Sequence, residues 1–408
     1  MDDGTRDIAR MDDLLHEQKA GRLFQSPGVF SAAHIPSSLL FRRQQVEAVL
    51  SNARCLLDRL PAEHLHIFGG PGTGKTAMVR GIVDGLNAAA EGLGEPVSYV
   101  YVNTKHLTYP KVLYQVARFF KPEVPRHGVG SDVYMTEVTR AAKMRRCGFF
   151  FDDVDRMLQS YPHLRPVDEL ANDFSRLGER GVECFCGVIS NNKNILKENL
   201  RRETDSSFCP TKIHCPQYSA GELSEILYDR CQAGFQPDVV SWETMAWFGE
   251  MLFNTGRDLR TGMRTLLAAG KEAGRRGLAS IDEAILGEAL SMVEKNELFE
   301  IMRGLDDQAL LYLYSIGKVQ YARGNAPLDD VMRVYRQACD RLGVQKCSRD
   351  HLRQYIRPRL EQQDLFSSRL AGRGRGKGRT LVFEIHPEEA PDMLLAATHE
   401  MERREMRG

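Results

Sequence analysis

His64-Leu65-His66-Ile67-Phe68-Gly69-Gly70-Pro71-Gly72-Thr73-Gly74-Lys75-Thr76 decides how this chain is to be read. Its last eight residues fit G-x-x-x-x-G-K-[ST] throughout. Glycines here let successive backbone N–H groups converge on phosphates without side-chain obstruction. Lys75 neutralises the β- and γ-phosphates, and the Thr76 hydroxyl is placed to ligate Mg²⁺. The five residues ahead of the loop read as a strand, and Ala77 onward as a helix whose positive dipole end faces the same anions. Gly70, Pro71, Gly72, Thr73, Gly74, Lys75, Thr76 and Ala77 are therefore the expected nucleotide contacts.

Outward from this loop, short apolar runs alternate with helical stretches. Strands are expected at His64–Phe68, Val97–Val102, Gly148–Phe151, Cys184–Ile189 and Lys212–Cys215. Helices are expected at Thr76–Ala90, Lys111–Phe120, Asp132–Met144 and Pro166–Arg180. Strand–helix alternation over this length predicts a parallel sheet covered on both faces. Residues 38–59 space their apolar side chains three and four apart and read as one amphipathic helix. Residues 1–32 lack sustained periodicity and read as a flexible arm.

The second half of a phosphate site is an apolar strand ending in carboxylates, which Phe149-Phe150-Phe151-Asp152-Asp153 supplies. Asp152 is placed to hold Mg²⁺ through water, and Asp153 stands where a base orients the attacking water. Asn191 ends the next strand, within reach of a γ-phosphate or the lytic water.

After Tyr218 the strands stop. Residues 218–298 read as a helical lid, and residues 299–390 as helices at Asp306–Tyr321 and Leu328–Leu342, a helix opening at Ser348, and a hairpin. That order is a winged helix. Residues 391–408 read as a helical tail, and residues 33–217 as the nucleotide-binding domain. The whole chain has 55 Lys+Arg against 55 Asp+Glu, so its net charge names no partner. From Arg341 to Phe383, however, eleven Lys/Arg face three Asp/Glu, which argues for a polyanion. Ser348 can cap a recognition helix carrying Arg349, Arg353 and Arg357 on one face, though Pro358 should kink or end it. Alternating glycines and cations make the wing tip, with Arg373, Arg375, Lys377 and Arg379 directed at phosphates or a narrow minor groove.

Nine scattered cysteines offer no C-x-x-C pair and no four-ligand zinc set, and read as reduced core thiols. No run approaches the ~18 apolar residues of a membrane span, so a cytoplasmic, nucleoid-associated protein without membrane contact is expected.

The motifs GGPGTGKT, FFFDDVD and ISNN, followed by CPQYSAGELSEILYDR and DLRTGMRTLLAAGKEA, resemble the AAA+ replication initiators of archaea, relatives of the eukaryotic origin-recognition and cell-division-cycle initiators. The resemblance runs from about residue 35 to 385. It implies ATP or ADP with Mg²⁺ as cofactors. Tyr218 would lie near the adenine, Arg230 would complete that pocket, and Arg260 would sense the γ-phosphate. It also implies double-stranded origin DNA, other initiator molecules and the replicative minichromosome-maintenance helicase as partners. A further DNA-contacting helix would fall near Lys121–Asp132.

Three departures bear on hydrolysis. Asp153 stands where the family usually has Glu, one methylene longer. Glu203 falls where an arginine finger for a neighbouring subunit is expected. Arg257 is an extra residue between Gly256 and Asp258. The expectation is an ATP-binding, DNA-binding initiator that hydrolyses slowly and acts as a switch. A regulator that keeps nucleotide structurally and a hydrolysis-driven AAA+ remodeller are the alternatives.

Overall fold

In the computed structural model of the chain, the residues described are 23–31, 34–36, 39–160, 165–361, 365–372, 379–386 and 390–406. Two compact units divide after Leu286.

The first unit is built on five parallel strands: β1 (Leu65–Phe68), β2 (Val97–Asn103), β3 (Arg146–Asp152), β4 (Cys184–Ser190) and β5 (Thr211–His214). They lie in the order β2-β3-β4-β1-β5. Strand side chains alternate between faces, and here both faces are covered. On one face Phe149 and Phe151 pack with α3 (Tyr109–Phe120), α4 (Ser131–Lys143) and α6 (Pro166–Ser175). On the other, Phe150, Tyr99 and Ile67 pack with α1 (Arg43–Arg54) and α2 (Lys75–Leu93). That double burial explains why β3 is apolar at every position from Phe149 to Phe151 instead of alternating. Between these elements lie α5 (Val154–Ser160), α7 (Ile195–Asn199) and α8 (Arg202–Phe208).

Three helices follow, over the stretch expected to form a lid: α9 (Ala220–Gly234), α10 (Trp242–Asn254) and α11 (Leu259–Arg275). Each opens on a side-chain cap. Ser219 and Glu222 form a capping box, Ser241 accepts from the Thr244 N–H, and Asp258 accepts from the Thr261 N–H.

The N-terminal end corrects two expectations. Helix α1 starts at Arg43, not at residue 38, because Phe41 takes a left-handed φ of 59° and Arg42 turns inward. Residues 23–31, expected in a flexible arm, pack on the lid. Phe24 and Phe30 lie 5.0 and 4.7 Å, ring to ring, from Phe235, and the N–H groups of Gln25 and Ser26 donate to the Gly234 carbonyl. The arm's first 22 residues lie outside the described residues.

The second unit centres on Tyr312, Tyr335, Phe366 and Phe383. Helix α12 (Glu283–Gly304) leads into it, followed by α13 (Asp307–Arg323), β6 (Ala326–Pro327) and α14 (Leu328–Leu342). Helix α15 begins at Arg349–His351, widens to a π turn over Leu352–Ile356 and resumes over Arg357–Glu361. Strands β7 (Ser367–Gly372) and β8 (Arg379–Glu384) form the hairpin, and α16 (Ala390–Glu405) packs back on α13 through Met393 and Ala397. This is a winged helix. Pro358 does not end α15, which continues through it to Glu361. The Arg357 N–H reaches back five residues to the Leu352 carbonyl, and this widened turn takes up the strain of a ring that would clash in an α-helix.

Candidate nucleotide site and nucleic-acid interface

The loop between β1 and α2 closes tightly because its glycines are needed. Gly72 and Gly74 have φ of 69° and 84°, and a Cβ on Gly69 would stand 2.0 Å from the Cys215 carbonyl oxygen. Lys75 is buried, and its ammonium donates to the carbonyls of Gly69 (2.6 Å) and Gly70 (2.8 Å) and to Asn191 Oδ1 (3.0 Å). Burial pushes its pKa down, opposed by the nearby Cys215 and Asp152. Two motifs 116 residues apart in sequence thus meet at one ammonium group.

The Thr76 hydroxyl donates to Asp152 Oδ2 at 2.7 Å, and the Tyr101 hydroxyl reaches the same oxygen at 2.7 Å. Burial raises the Asp152 pKa, and the hydrogen bonds from Thr76 and Tyr101 work against it. A hydroxyl beside a buried carboxylate is an oxygen donor set that suits a small hard cation such as Mg²⁺. Asp153 takes a left-handed φ of 58° and turns its carboxylate to Asn103 Nδ2 at 3.0 Å. Asp155 accepts the N–H groups of Asn191 (2.7 Å) and Asn192 (3.3 Å), which fixes the end of β4 against the start of α5.

A cleft of about 260 Å³ opens beside the loop. Gly72, Thr73, Gly74, Lys75, Thr76 and Ala77 line its polar end, and Tyr218, Arg230 and Arg260 line it from the lid side. Burial pulls the Arg230 pKa below its ordinary value. Gly70 and Pro71 belong to the loop but not to the cleft wall, Asp152 and Asn191 adjoin it through Thr76 and Lys75, and Asp153 is not among its lining residues. The apolar wall of Ile35, Pro36, Leu39 and Leu40 was missed in the sequence, as was Asn103. Ile35-Pro36 is the only local signal for that wall. Nothing local marks Asn103, which meets Asp153 only because β2 and β3 pair in register.

Around the departures, Arg201 does not stand free as a substitute finger. Its backbone N–H and its guanidinium both engage the buried Asp168, at 2.8 and 3.2 Å. Glu203 and Arg202 are exposed on the first turn of α8.

At the basic end, Ser348 caps α15 by accepting the His351 N–H at 3.1 Å. Arg349 and Arg353 are exposed and Arg357 is half-buried. Arg349 pairs with Asp329 at 2.8 Å and Arg357 with Glu361 at 3.6 Å. Arg373, Arg375 and Lys377 lie outside the described residues. So does the Arg379 side chain, although its backbone pairs with Gly372 in the hairpin. The stretch 121–130 holds no helix of its own; it is the loop between α3 and α4. Lys111, Arg118 and Arg126 surround a groove there together with Tyr114 and Phe119. The nine cysteines are free thiols, five of them buried, and among the described residues no group of three His, Cys, Asp or Glu could hold a metal. No described helix is long and apolar enough to cross a membrane.

Comparisons with known proteins agree with this architecture. The model of the ATPase family associated with various cellular activities matches residues 65–209, and that of the Cdc6 C-terminal winged helix domain matches residues 300–391. The ORC1-type DNA replication protein of Pyrococcus furiosus is 24% identical over 397 residues, covering 95% of this chain and 92% of the relative. The ORC1-type DNA replication protein 1 of Aeropyrum pernix is 25% identical over 381 residues, 92% of this chain and 95% of the relative. Among solved structures, the Aeropyrum pernix Orc1 protein in complex with DNA superposes with a TM-score of 0.81 at 22% identity, covering 94% and 97% of the two chains. The Aeropyrum pernix Orc2 protein in its ADPNP–ADP complexes gives 0.60 at 19% identity over 94% and 100%. An AAA ATPase core followed by a Cdc6 winged helix, matched along nearly its whole length by ORC1-type proteins, places this chain in the Orc1/Cdc6-type family of replication initiators.

Proposed function

We propose that this initiator binds ATP or ADP with Mg²⁺ in the cleft beside Lys75 and binds double-stranded origin DNA through its winged helix, with the nucleotide acting as a switch and hydrolysis slow. The observation that carries the reading is the meeting of Lys75, Asn191, Thr76 and Asp152 at the mouth of a cleft whose far wall is apolar. Phosphates suit the loop amides and the lysine, and an adenine suits the wall of Ile35, Leu39 and Tyr218. Arg230 and Arg260 reach the same cleft from the lid. Thr76 and Asp152 would hold Mg²⁺, which when bound draws charge from the phosphate oxygens. Asn191 and Asp153 are the groups positioned to orient water at the terminal phosphate.

The domain plan we assign is an arm (1–32), a nucleotide-binding domain (33–217), a lid (218–298), a winged helix (299–390) and a tail (391–408). Support for DNA comes from the excess of Lys/Arg between Arg341 and Phe383 and from the DNA named with the Orc1 neighbour. Assembly with other initiators and delivery of the minichromosome-maintenance helicase are extensions of the same reading, as is a nucleoid-associated cytoplasmic location.

Calorimetric titration with ATP and ADP in magnesium tests the first half. Affinity should be present, and Lys75→Ala should weaken it by about 100-fold. No measurable affinity in the unmodified protein would end the proposal. A second reading, a regulator that retains nucleotide without useful turnover, is favoured by Asp153 held on Asn103 and by Glu203 in place of a finger arginine. Turnover with and without DNA separates the two.

A further inference from the structure

Arg42 is only 1% exposed, yet no carboxylate pairs with it through any hydrogen bond or ion pair seen among the described residues. Its guanidinium is instead satisfied by three carbonyls. Nε donates to Thr73 at 2.9 Å, Nη1 to Phe41 at 2.9 Å and Nη2 to Pro216 at 2.6 Å. The Arg42 Cζ also lies 3.8 Å above the centre of the Tyr218 ring. Burying a guanidinium without a counter-charge costs several kcal/mol, and a strained backbone adds to it. That strain is present, since Phe41, bulky and 39% exposed, takes φ 59°. An apolar residue facing inward would avoid the first of these costs, so burial alone does not explain an arginine here.

The three places it touches do explain it. Thr73 lies in the phosphate loop, Pro216 in the segment leaving β5, and Tyr218 at the entrance to the lid, its hydroxyl 2.9 Å from where a Cβ on Gly74 would stand. A planar, forked cation can bridge two carbonyls and stack on a ring at once, which a lysine cannot. We infer that Arg42 is a positioning residue that fixes the distance between the phosphate loop and Tyr218, so that one nucleotide gains from engaging both ends of the cleft together. This rests on the reading that the cleft takes adenine nucleotides.

The test compares ATP with its two halves. Dissociation constants for ATP, adenosine and inorganic tripolyphosphate are measured by calorimetry on the full chain and on Arg42→Lys and Arg42→Gln, with nucleotide-free melting as the folding control. In the variants ATP should weaken by about tenfold, while adenosine and tripolyphosphate each stay within about twofold, because only the linkage between the ends is lost. A second arm pairs Arg42→Lys with Tyr218→Leu, and the double variant should weaken ATP by less than the product of the two single effects. If the unmodified protein binds no ATP, the nucleotide reading itself fails. If it does, an unchanged ATP affinity in Arg42→Lys overturns the inference. So does a tripolyphosphate loss equal to the ATP loss, which would make Arg42 a prop for the loop alone. Failure of both variants to fold would assign Arg42 to the core and overturn it equally.

Discussion

The Asn103 side-chain amide, at the end of β2, donates to the Asp153 carboxylate, at the end of β3, across 3.0 Å. Asp153 is also held by its backbone, with φ 58° and its N–H on Asp152 Oδ1. The carboxylate proposed to orient water is therefore short and tethered. Asp153→Glu should raise steady-state phosphate release about tenfold by extending its reach, and Asp153→Asn should lower it by about 100-fold. Asn103→Ala should raise it by a smaller factor. A turnover in Asp153→Glu no higher than in the unmodified protein would show that carboxylate reach does not limit hydrolysis.

Gly69 tests the fold of the site through its backbone, with no side chain of its own in the cleft. A methyl there would meet the Cys215 backbone oxygen at 2.0 Å, and strands β1 and β5 leave neither atom free to retreat. Gly69→Ala should lower unfolding free energy by about 2 kcal/mol, read from the urea midpoint. A midpoint unchanged by the substitution would mean that the loop relaxes.

Sequence patterning located all five strands of the sheet, with ends displaced by a residue or two. The apolar triplet Phe149–Phe151 fixed β3, but its start at Arg146 was hidden. Arg146 looks like a loop residue until its guanidinium is seen on Glu95 and the Leu56 carbonyl. The phosphate loop was legible because its chemistry needs fixed residues at fixed spacing. The apolar wall and Arg42 were not, since Leu39 and Leu40 look like the first turn of a helix that runs on through residues 43–54. Only the left-handed turn at Phe41 separates them from α1. The π turn before Pro358 was equally hidden, because the proline reads as a stop unless the widening ahead of it is known.

Two histidines on or beside β1 make the first unit acid-sensitive. His64 Nδ1 accepts the Cys186 N–H at 3.0 Å, and His66 Nε2 lies 2.9 Å from Ser190 Oγ. Ser190 Oγ already donates to the Asn192 carbonyl, so His66 carries its proton on Nε2. Burial pushes both rings from the usual 6.5 to about 4. The unfolded chain takes up those protons near 6.5 and the folded chain only near 4. Stability present above pH 6.5 is thus lost as pH falls through that window. Melting temperature should drop between pH 6.5 and 4, and the double variant His64→Asn, His66→Asn should flatten the drop. An equally steep profile in the double variant would assign the effect to other groups.

The basic face of α15, part of the winged helix proposed to meet DNA, holds its three arginines in different ways. Arg353 is exposed, whereas Arg349 is drawn to Asp329 and half-buried Arg357 to Glu361. Exposed pairs contribute little to stability, so Arg349 can exchange Asp329 for a phosphate at small cost. Asp329→Ala should therefore strengthen duplex binding. Arg353→Ala should weaken it and reduce the slope of log affinity against log salt by about 0.9, the value for one phosphate contact. The triple change of Arg373, Arg375 and Lys377 to alanine should reduce the slope by up to three times as much. Fluorescence anisotropy on a labelled duplex across a salt series reads all three. An Asp329→Ala protein that binds no more tightly, together with an unaltered slope in Arg353→Ala, would remove α15 from the interface. A triple variant that still lost affinity would then leave the wing as the contact.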